Sequence, residues 1–270
     1  MQSAGARLDR SGCVATITLD RPETRNALDA GTVDELSGHL RSIAADPDVR
    51  VVELAAAGTC FSAGADLRAM RSMGAARVEQ NLGDSRRFVE MLRLLHSLSK
   101  PTVARVQGAA IGGGVGLVAC CDIAVASDEA FFRLSEVQLG LVPAMVGPYL
   151  IEALGVRMAK RLMLTGERID ARKAAQWGLV HEVVAPDQLA EATGAVIRRL
   201  LRGAPGALAT CKALVAEISD RPLDDALRKR TAQILADRRS SEEGRAGVRS
   251  FLDKSRPPWA RAAAIPSCDR

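Results

Sequence analysis

Apolar positions along the chain change period several times, and each change predicts an element. Arg7–Asp20 reads as two strands around a polar turn at Asp9-Arg10-Ser11-Gly12. The second strand is Val14-Ala15-Thr16-Ile17-Thr18-Leu19, and Pro22 ends the hairpin. Leu28 to Ala45 has helical spacing (Val33, Leu36, Leu40, Ile43), closed by Asp46-Pro47-Asp48 before the apolar run Val51-Val52-Glu53-Leu54. Phe88 to Leu98 is helical again; Lys100-Pro101 breaks it, and Thr102–Val106 and Asp122–Ala126 read as strands flanking a short helix. Strands alternating with helices predict right-handed crossovers, so the chain to about Leu141 is expected to be an α/β core. From Met145 the pattern is mostly helical: Tyr149–Leu154, Val156–Leu164, Ala171–Trp177, Gln188–Leu201, Pro205–Ile218, Leu223–Ala236 and Ser241–Phe251. Only Leu179–Val184 reads there as a strand, and the tail after Arg256-Pro257-Pro258 is expected to be loose.

Composition narrows the class. The 270 residues are 47% hydrophobic and 26% charged, which supplies a full core and excludes a disordered chain. Aromatic residues are only 3%, too few for the stacking platforms of single-stranded nucleic-acid binders. The net charge of +5 comes from scattered basic residues, so neither nucleic acid nor a membrane is expected as a partner. The six cysteines have no paired metal-ligand spacing, and no metal is expected; adjacent Cys120 and Cys121 suit reduced core thiols. MQSAGARLDR has no apolar signal core, and no apolar run reaches bilayer length, so a cytoplasmic protein is expected.

The candidate chemistry lies in two glycine-containing turns. AAIGGGVGLVACCD, residues 109–122, puts Gly112, Gly113, Gly114 and Gly116 where an apolar helix begins. Each glycine inside a helix costs about 0.5–1 kcal/mol against alanine, which is understandable if backbone must approach closely or offer an N–H group. The segment lacks the Lys-Ser/Thr of a phosphate loop and does not match G-x-G-x-x-G. A second small-residue turn, Cys60-Phe61-Ser62-Ala63-Gly64-Ala65-Asp66-Leu67, also follows an apolar strand. If the two turns converge, their amides can hold one oxygen that becomes negative during reaction. No residue from Gly112 to Cys121 other than a thiol can exchange a proton near neutral pH, so an acid or base must come from elsewhere.

FSAGADL, GAAIGGGVGLVACCDIAVAS, FRLSEVQLGLVP and LTGERIDARKAAQWGLVHEVV, in this order, resemble the crotonase, or enoyl-CoA hydratase/isomerase, superfamily over nearly the whole chain. The resemblance implies an α/β spiral of ββα units over residues 1–200 and a C-terminal helical oligomerisation region over 201–270. It also implies a homo-oligomer, a trimer or a dimer of trimers, and an acyl-CoA thioester substrate with no separate cofactor, coenzyme A being part of the substrate. By position, the amides of Ala65 and Gly113 are expected to hold the thioester oxygen, with Glu136 of the FxxxE segment as acid and base. A second glutamate of the family's hydratases, in the pattern GGGxE, falls on Gly116. That single-carboxylate pattern is shared with some Δ3,Δ2-enoyl-CoA isomerases, whereas the surrounding wording is most similar to bacterial hydratases of branched or carboxylated enoyl-CoAs such as 3-methylglutaconyl-CoA. Hydratase is therefore the expectation, with isomerase and a non-catalytic acyl-CoA binder as the alternatives.

The same resemblance implies a substrate-binding set. Arg25 in RNAL is expected near the CoA phosphates, Ala63, Asp66 and Leu67 near adenine, Gly112 beside the thioester, and Phe251 and Lys254 as residues reaching a neighbouring subunit's CoA. The plain alternatives are a helix N-cap for Asp66 and a surface helix for the last pair. Met70 and Met73 could line an acyl pocket or simply pack a helix, and Tyr149 could face substrate. His39, His96 and His181 accompany no triad or metal constellation and are expected to be bystanders.

Overall fold

A computed structural model describes residues 5–66, 77–219 and 221–262. The N-terminal hairpin is β1 (Ala6–Ser11) and β2 (Val14–Leu19), paired antiparallel with Ser11 opposite Val14. The turn is therefore only Gly12-Cys13, tighter than the polar Asp9–Gly12 stretch predicts, because Asp9, Arg10 and Ser11 continue an exposed edge strand. Then β3 (Val51–Ala56), β4 (Thr102–Val106), β6 (Ile123–Ser127) and β9 (Glu182–Val184) add in parallel, giving a six-stranded sheet in the order β1-β2-β3-β4-β6-β9. A smaller sheet holds β5 (Ala109–Ile111), β7 (Phe131–Arg133) and β8 (Arg168–Asp170), in that order.

The large sheet is covered on both faces, which explains its continuous apolar strands. Ile17, Leu19, Leu54, Ala104 and Val106 join the main core with Leu36 and Leu40 of helix α1 (Ala30–Ala45) and Met91, Leu92 and Leu95 of α2 (Val78–His96). The alternating partners Val51, Val103 and Val125 face a second cluster formed with Leu189, Val196, Ile197 and Leu201. Helix α3 (Gly113–Cys120) is buried on nearly every side. There Cys120 and Cys121 are core thiols, and burial pushes the Cys121 pKa up to about 12, far from a reactive thiolate.

Three differences from the sequence reading have physical causes. Helix α2 begins ten residues before Phe88, because Val78–Arg87 is solvent-facing and polar and carries no apolar period; Arg77 N–H donates to Gln80 Oε1 (3.2 Å) at its start. Tyr149–Leu154 and Val156–Leu164 belong to one helix, α4 (Gly147–Thr165), interrupted by the non-helical backbone of Gly155 (φ 71°, ψ 161°). The tail is not loose through residue 262: Pro258–Ala262 is a helical turn packed on the body. Trp259 Nε1 donates to Arg202 O (3.0 Å), and the buried Arg50 guanidinium donates to Trp259 O (2.7 Å), Leu201 O (2.9 Å) and Gly203 O (2.8 Å). The intervening elements are α5 (Ala171–Trp177), α6 (Leu189–Arg202), α7 (Pro205–Ile218), α8 (Asp225–Ser240) and α9 (Glu242–Leu252).

Arg50 thus clasps the C-terminal turn to the sheet. Charge-assisted hydrogen bonds contribute about 1.5–3 kcal/mol each when their loss strands a buried partner. Arg50→Met is expected to lower the melting temperature by about 5 °C or more, measured by thermal denaturation at fixed protein concentration; an unchanged midpoint would show that the clasp contributes nothing.

Candidate active site

Three chain segments run side by side and end at the same edge. Strand β5 pairs parallel with β7, Ile111 lying opposite Arg133, and on its other side Ser62 bridges Ala110 in parallel. Ser62 N–H donates to Ala109 O (3.0 Å), Ile111 N–H to Ser62 O (2.9 Å), and Gly112 N–H to Arg133 O (2.9 Å). Because all three run in the same direction, the residues that follow them arrive together: Gly64-Ala65, Gly112-Gly113 and Glu136. This is the C-terminal edge of parallel strands, where crevices of open α/β folds form.

The contact between the two bends is direct. Gly64 has φ +82°, and a Cβ placed on it would lie 2.6 Å from Ile111 O and 3.5 Å from Gly113 N. A Cβ on Gly114 would lie 2.8 Å from that of Ser62. Glycine is therefore required by backbone approach rather than by any helix preference. Leu28 N–H donates to Gly64 O (2.7 Å) and Asp66 N–H to Leu28 O (3.4 Å), so the intervening Ala65 amide points out of that ladder. Gly113 is the first residue of α3, whose earliest N–H groups have no carbonyl within the helix. Two amide donors from different bends thus stand next to each other, and the N-terminal end of α3 adds its positive dipole.

Glu136 completes the group. It opens a short 3-10 turn, Glu136–Leu139, just after β7. A Cβ on Gly112 (φ +51°) would lie 2.8 Å from Glu136 Oε1, so the carboxyl lies over the glycine that precedes Gly113. Its Oε2 is buried and has no hydrogen-bond partner among the described residues. Burial raises the Glu136 pKa above the ordinary carboxylate range, and a hydrogen bond from its own backbone offsets part of this. A desolvated carboxyl with a free oxygen is prepared to exchange a proton with something placed beside it. The far wall is hydrocarbon: a Cβ on Gly113 would meet Phe88 Cζ at 2.8 Å and Leu28 Cδ1 at 3.2 Å.

One residue that sequence reading passed over ties the first bend in place. Asn26 is buried in a left-handed conformation (φ 53°), next to left-handed Arg25 (φ 55°). Its Nδ2 donates to Ala57 O (2.9 Å) and Cys60 O (2.8 Å), while its Oδ1 accepts from Arg21 N–H (2.9 Å). Ser62 Oγ donates to Asn26 O (2.8 Å) and accepts from Gly64 N–H (3.2 Å). The signal available in the sequence was only an Asn inside RNAL, close to a left-handed turn.

The remaining expected residues divide. Ala63 N–H donates to Arg25 O (2.9 Å), which brings Arg25, Ala63 and Asp66 to the same rim, with Arg25 exposed. Leu67, Met70 and Met73 lie outside the described residues. Among the described residues, none of the contacts joining the two bends reaches Phe251 or Lys254, which stand exposed on the C-terminal helices. His96 Nε2 lies 3.0 Å from Glu152 Oε2 and its ring 5.1 Å from that of Tyr149; His181 Nδ1 accepts from Ala124 N–H (3.1 Å). Glu53 pairs with Arg105 (3.0 Å) and accepts from Thr16 Oγ1 (3.1 Å). No group of three or more metal-ligating side chains occurs among the described residues, and none of their helices is long and apolar enough to cross a membrane.

Paired amides, a helix N-terminus and one desolvated carboxyl form a site for chemistry through an oxyanion. Comparison with known proteins places it further. The enoyl-CoA hydratase/isomerase family model matches residues 9–262. The carnitinyl-CoA dehydratase of Escherichia coli strain K12 is 33% identical over 262 residues, covering 95% of this chain and 98% of that one. An enoyl-CoA hydratase structure from Shewanella pealeana superposes with a TM-score of 0.92 at 38% identity, covering 96% and 97% of the two chains. A second, from Mycobacterium smegmatis, gives 0.89 at 32% identity over 94% and 98%. The chain belongs to the enoyl-CoA hydratase/isomerase family, has the crotonase fold, and is an enzyme of the hydratase kind.

The positioning role of Asn26 is testable. Asn26→Gly keeps the left-handed backbone accessible while removing the side-chain bonds. The expected outcome is a fall in kcat of about 10–100-fold with little change in KM, since a displaced amide weakens binding of the developing oxyanion more than of substrate. A raised KM with intact kcat would contradict it.

Proposed function

We propose that the enzyme adds water across the 2,3-double bond of an enoyl-CoA, with Ala65 and Gly113 amides holding the thioester oxygen and Glu136 moving the protons. The observation that carries this reading is the Glu136 carboxyl, whose Oε1 lies over Gly112 next to the amide of Gly113 and whose buried Oε2 has no hydrogen-bond partner among the described residues. Water loses a proton to Glu136 as its oxygen bonds to C3. The π electrons move towards the thioester oxygen, where two donors meet the enolate charge, and the proton then goes to C2. Preorganised donors of this type each supply about 3–4 kcal/mol of transition-state stabilisation.

Arg25 at the rim, with Ala63 and Asp66, supports a CoA-binding role for that edge, and Leu67 follows them in sequence. Coenzyme A enters as part of the substrate, with no separate cofactor. A branched or carboxylated acyl group of the 3-methylglutaconyl type is the substrate we favour, on the wording of the 112–150 segment. A cytoplasmic homo-oligomer, trimer or dimer of trimers, is proposed as well. In support, α7 carries Leu208, Leu214 and Val215 but no fully buried side chain, and Leu223, Val248, Phe251 and Leu252 are also exposed. Such a surface suits burial against another copy, with Phe251 and Lys254 positioned to reach that copy's CoA.

A second reading, Δ3,Δ2-enoyl-CoA isomerisation, is favoured by one specific observation: Glu136 has no carboxylate companion at position 116, where the chain has glycine. Turnover of 2-enoyl and 3-enoyl CoAs in heavy-oxygen water separates the two, because only hydration places label in the product. Binding without either reaction would contradict both readings.

Glu136→Gln is expected to reduce turnover by about 10²–10⁴-fold while retaining CoA binding, and near-normal turnover would contradict the assignment. Its stability should move the other way. A carboxyl whose folded pKa is raised costs the fold nothing where both states are protonated, and destabilises it as pH rises through the unfolded and then the raised folded pKa. The Gln variant should therefore melt higher than wild type near pH 7 and lose that advantage below about pH 4, as read by thermal denaturation across pH.

A further inference from the structure

Gly112, the N-cap residue of α3, and Gly116 stand one turn apart, with Gly116 N–H donating to Gly112 O (3.2 Å). Each has a side chain pressed against it from the same excursion of chain, residues 136–146. Glu136 covers Gly112, while Val146 covers Gly116: a Cβ on Gly116 would lie 2.3 Å from Val146 Cγ1 and 3.0 Å from its Cβ, with Leu92 Cδ1 at 3.8 Å. Val146 is buried and its backbone is fixed, since Leu150 N–H donates to Val146 O (3.1 Å) and Gly147 N–H to Pro143 O (3.0 Å). No side chain at 116 can fit unless Val146 moves, and the position one turn along from the carboxyl is packed with hydrocarbon.

We propose that Val146 is a specificity-determining residue of this site, setting the partition between water addition and double-bond migration by keeping a second polar group from standing beside Glu136. This rests on the reading that an enoyl-CoA occupies the two-amide cradle. Hydration requires a water oxygen to be oriented towards C3 while one proton leaves it and one reaches C2. Migration requires only that a proton leave C4 and arrive at C2, with the electron pair shifting through the dienolate, and a single carboxyl can carry that proton both ways. A hydrocarbon neighbour gives Glu136 no help in holding the water. A polar neighbour would provide it, and would favour hydration without changing the cradle.

The test uses the full-length protein with trans-2-hexenoyl-CoA and cis-3-hexenoyl-CoA, reading label incorporation from heavy-oxygen water against migration of the double bond. Val146→Asp is close to isosteric and puts a second carboxyl in the same space; it should raise the ratio of hydration to migration by about tenfold or more. Val146→Ala, which opens room for water, should raise it by a smaller factor, and it decides the matter if the Asp variant does not fold. A packing readout accompanies these. Gly116→Ala should lower the melting temperature by several degrees, and adding Val146→Ala should return much of that loss, the non-additivity expected of a matched contact. An active wild type whose folded Val146 variants keep the ratio unchanged overturns this inference alone. A wild type that neither binds nor converts either thioester overturns the reading of the site, and this inference with it.

Discussion

The structure depends on how closely two stretches of backbone can approach. At Gly64 and at the start of α3 the chains pass at a distance that leaves no room for a Cβ, with Ile111 O and Gly113 N on one side and the Gly64 Cα on the other. Everything proposed for the site follows from that approach, because an oxygen can be shared between two amides only if the bends bearing them touch. The clasp is enforced by ordinary ladder hydrogen bonds, Ser62 with β5 and Leu28 with Gly64 and Asp66, and by the buried amide of Asn26. Flexible loops would hold such donors poorly; here they stand at the ends of a parallel arrangement whose register is fixed on both sides.

The proposed acid or base is brought there by the same geometry. Parallel pairing of β5 with β7 carries the chain to Gly112 on one strand and to Glu136 just beyond the other, and the glycine leaves room for the carboxyl. The low-polarity surroundings that raise the Glu136 pKa also oppose folding when the group is ionised, so the carboxyl proposed to move the protons is held there against stability. The Gly116–Val146 contact, one turn along α3 from the glycine that Glu136 covers, has the opposite character, a tight apolar packing.

Much of this was legible in the sequence where local rules and tertiary demands coincide. The hairpin, the helix pattern after Leu28 and the boundaries of Pro205–Ile218 follow from period and from proline. The crowded glycines at 112–116 announced a close approach because a helix start has no other use for them. The three-residue strands β5, β7 and β8 were not legible, since so short a run carries no period and owes its extended form to its neighbours. The polar first half of α2 and the anchored turn at Trp259 were missed for a related reason, the first having little apolar face and the second being held by Arg50 from far away in sequence. Asn26 and Val146 were invisible because their roles are contacts, and neither residue type announces one.

The central claim, that the amides of Ala65 and Gly113 jointly receive the thioester oxygen, is tested most directly by the infrared carbonyl stretch of a bound enoyl-CoA labelled with carbon-13 at the thioester carbon. Glycolic acid in place of Gly113 turns the 112–113 amide into an ester and removes that N–H without adding an atom, as the crowding demands, since even a Cβ there would meet Phe88 Cζ at 2.8 Å. The account requires the band to move to lower frequency on binding to wild type and to Glu136→Gln alike, and to return much of the way towards its solution value in the ester-substituted protein. A band at the solution frequency in the wild-type complex, or one that the ester substitution leaves fully shifted, would contradict it.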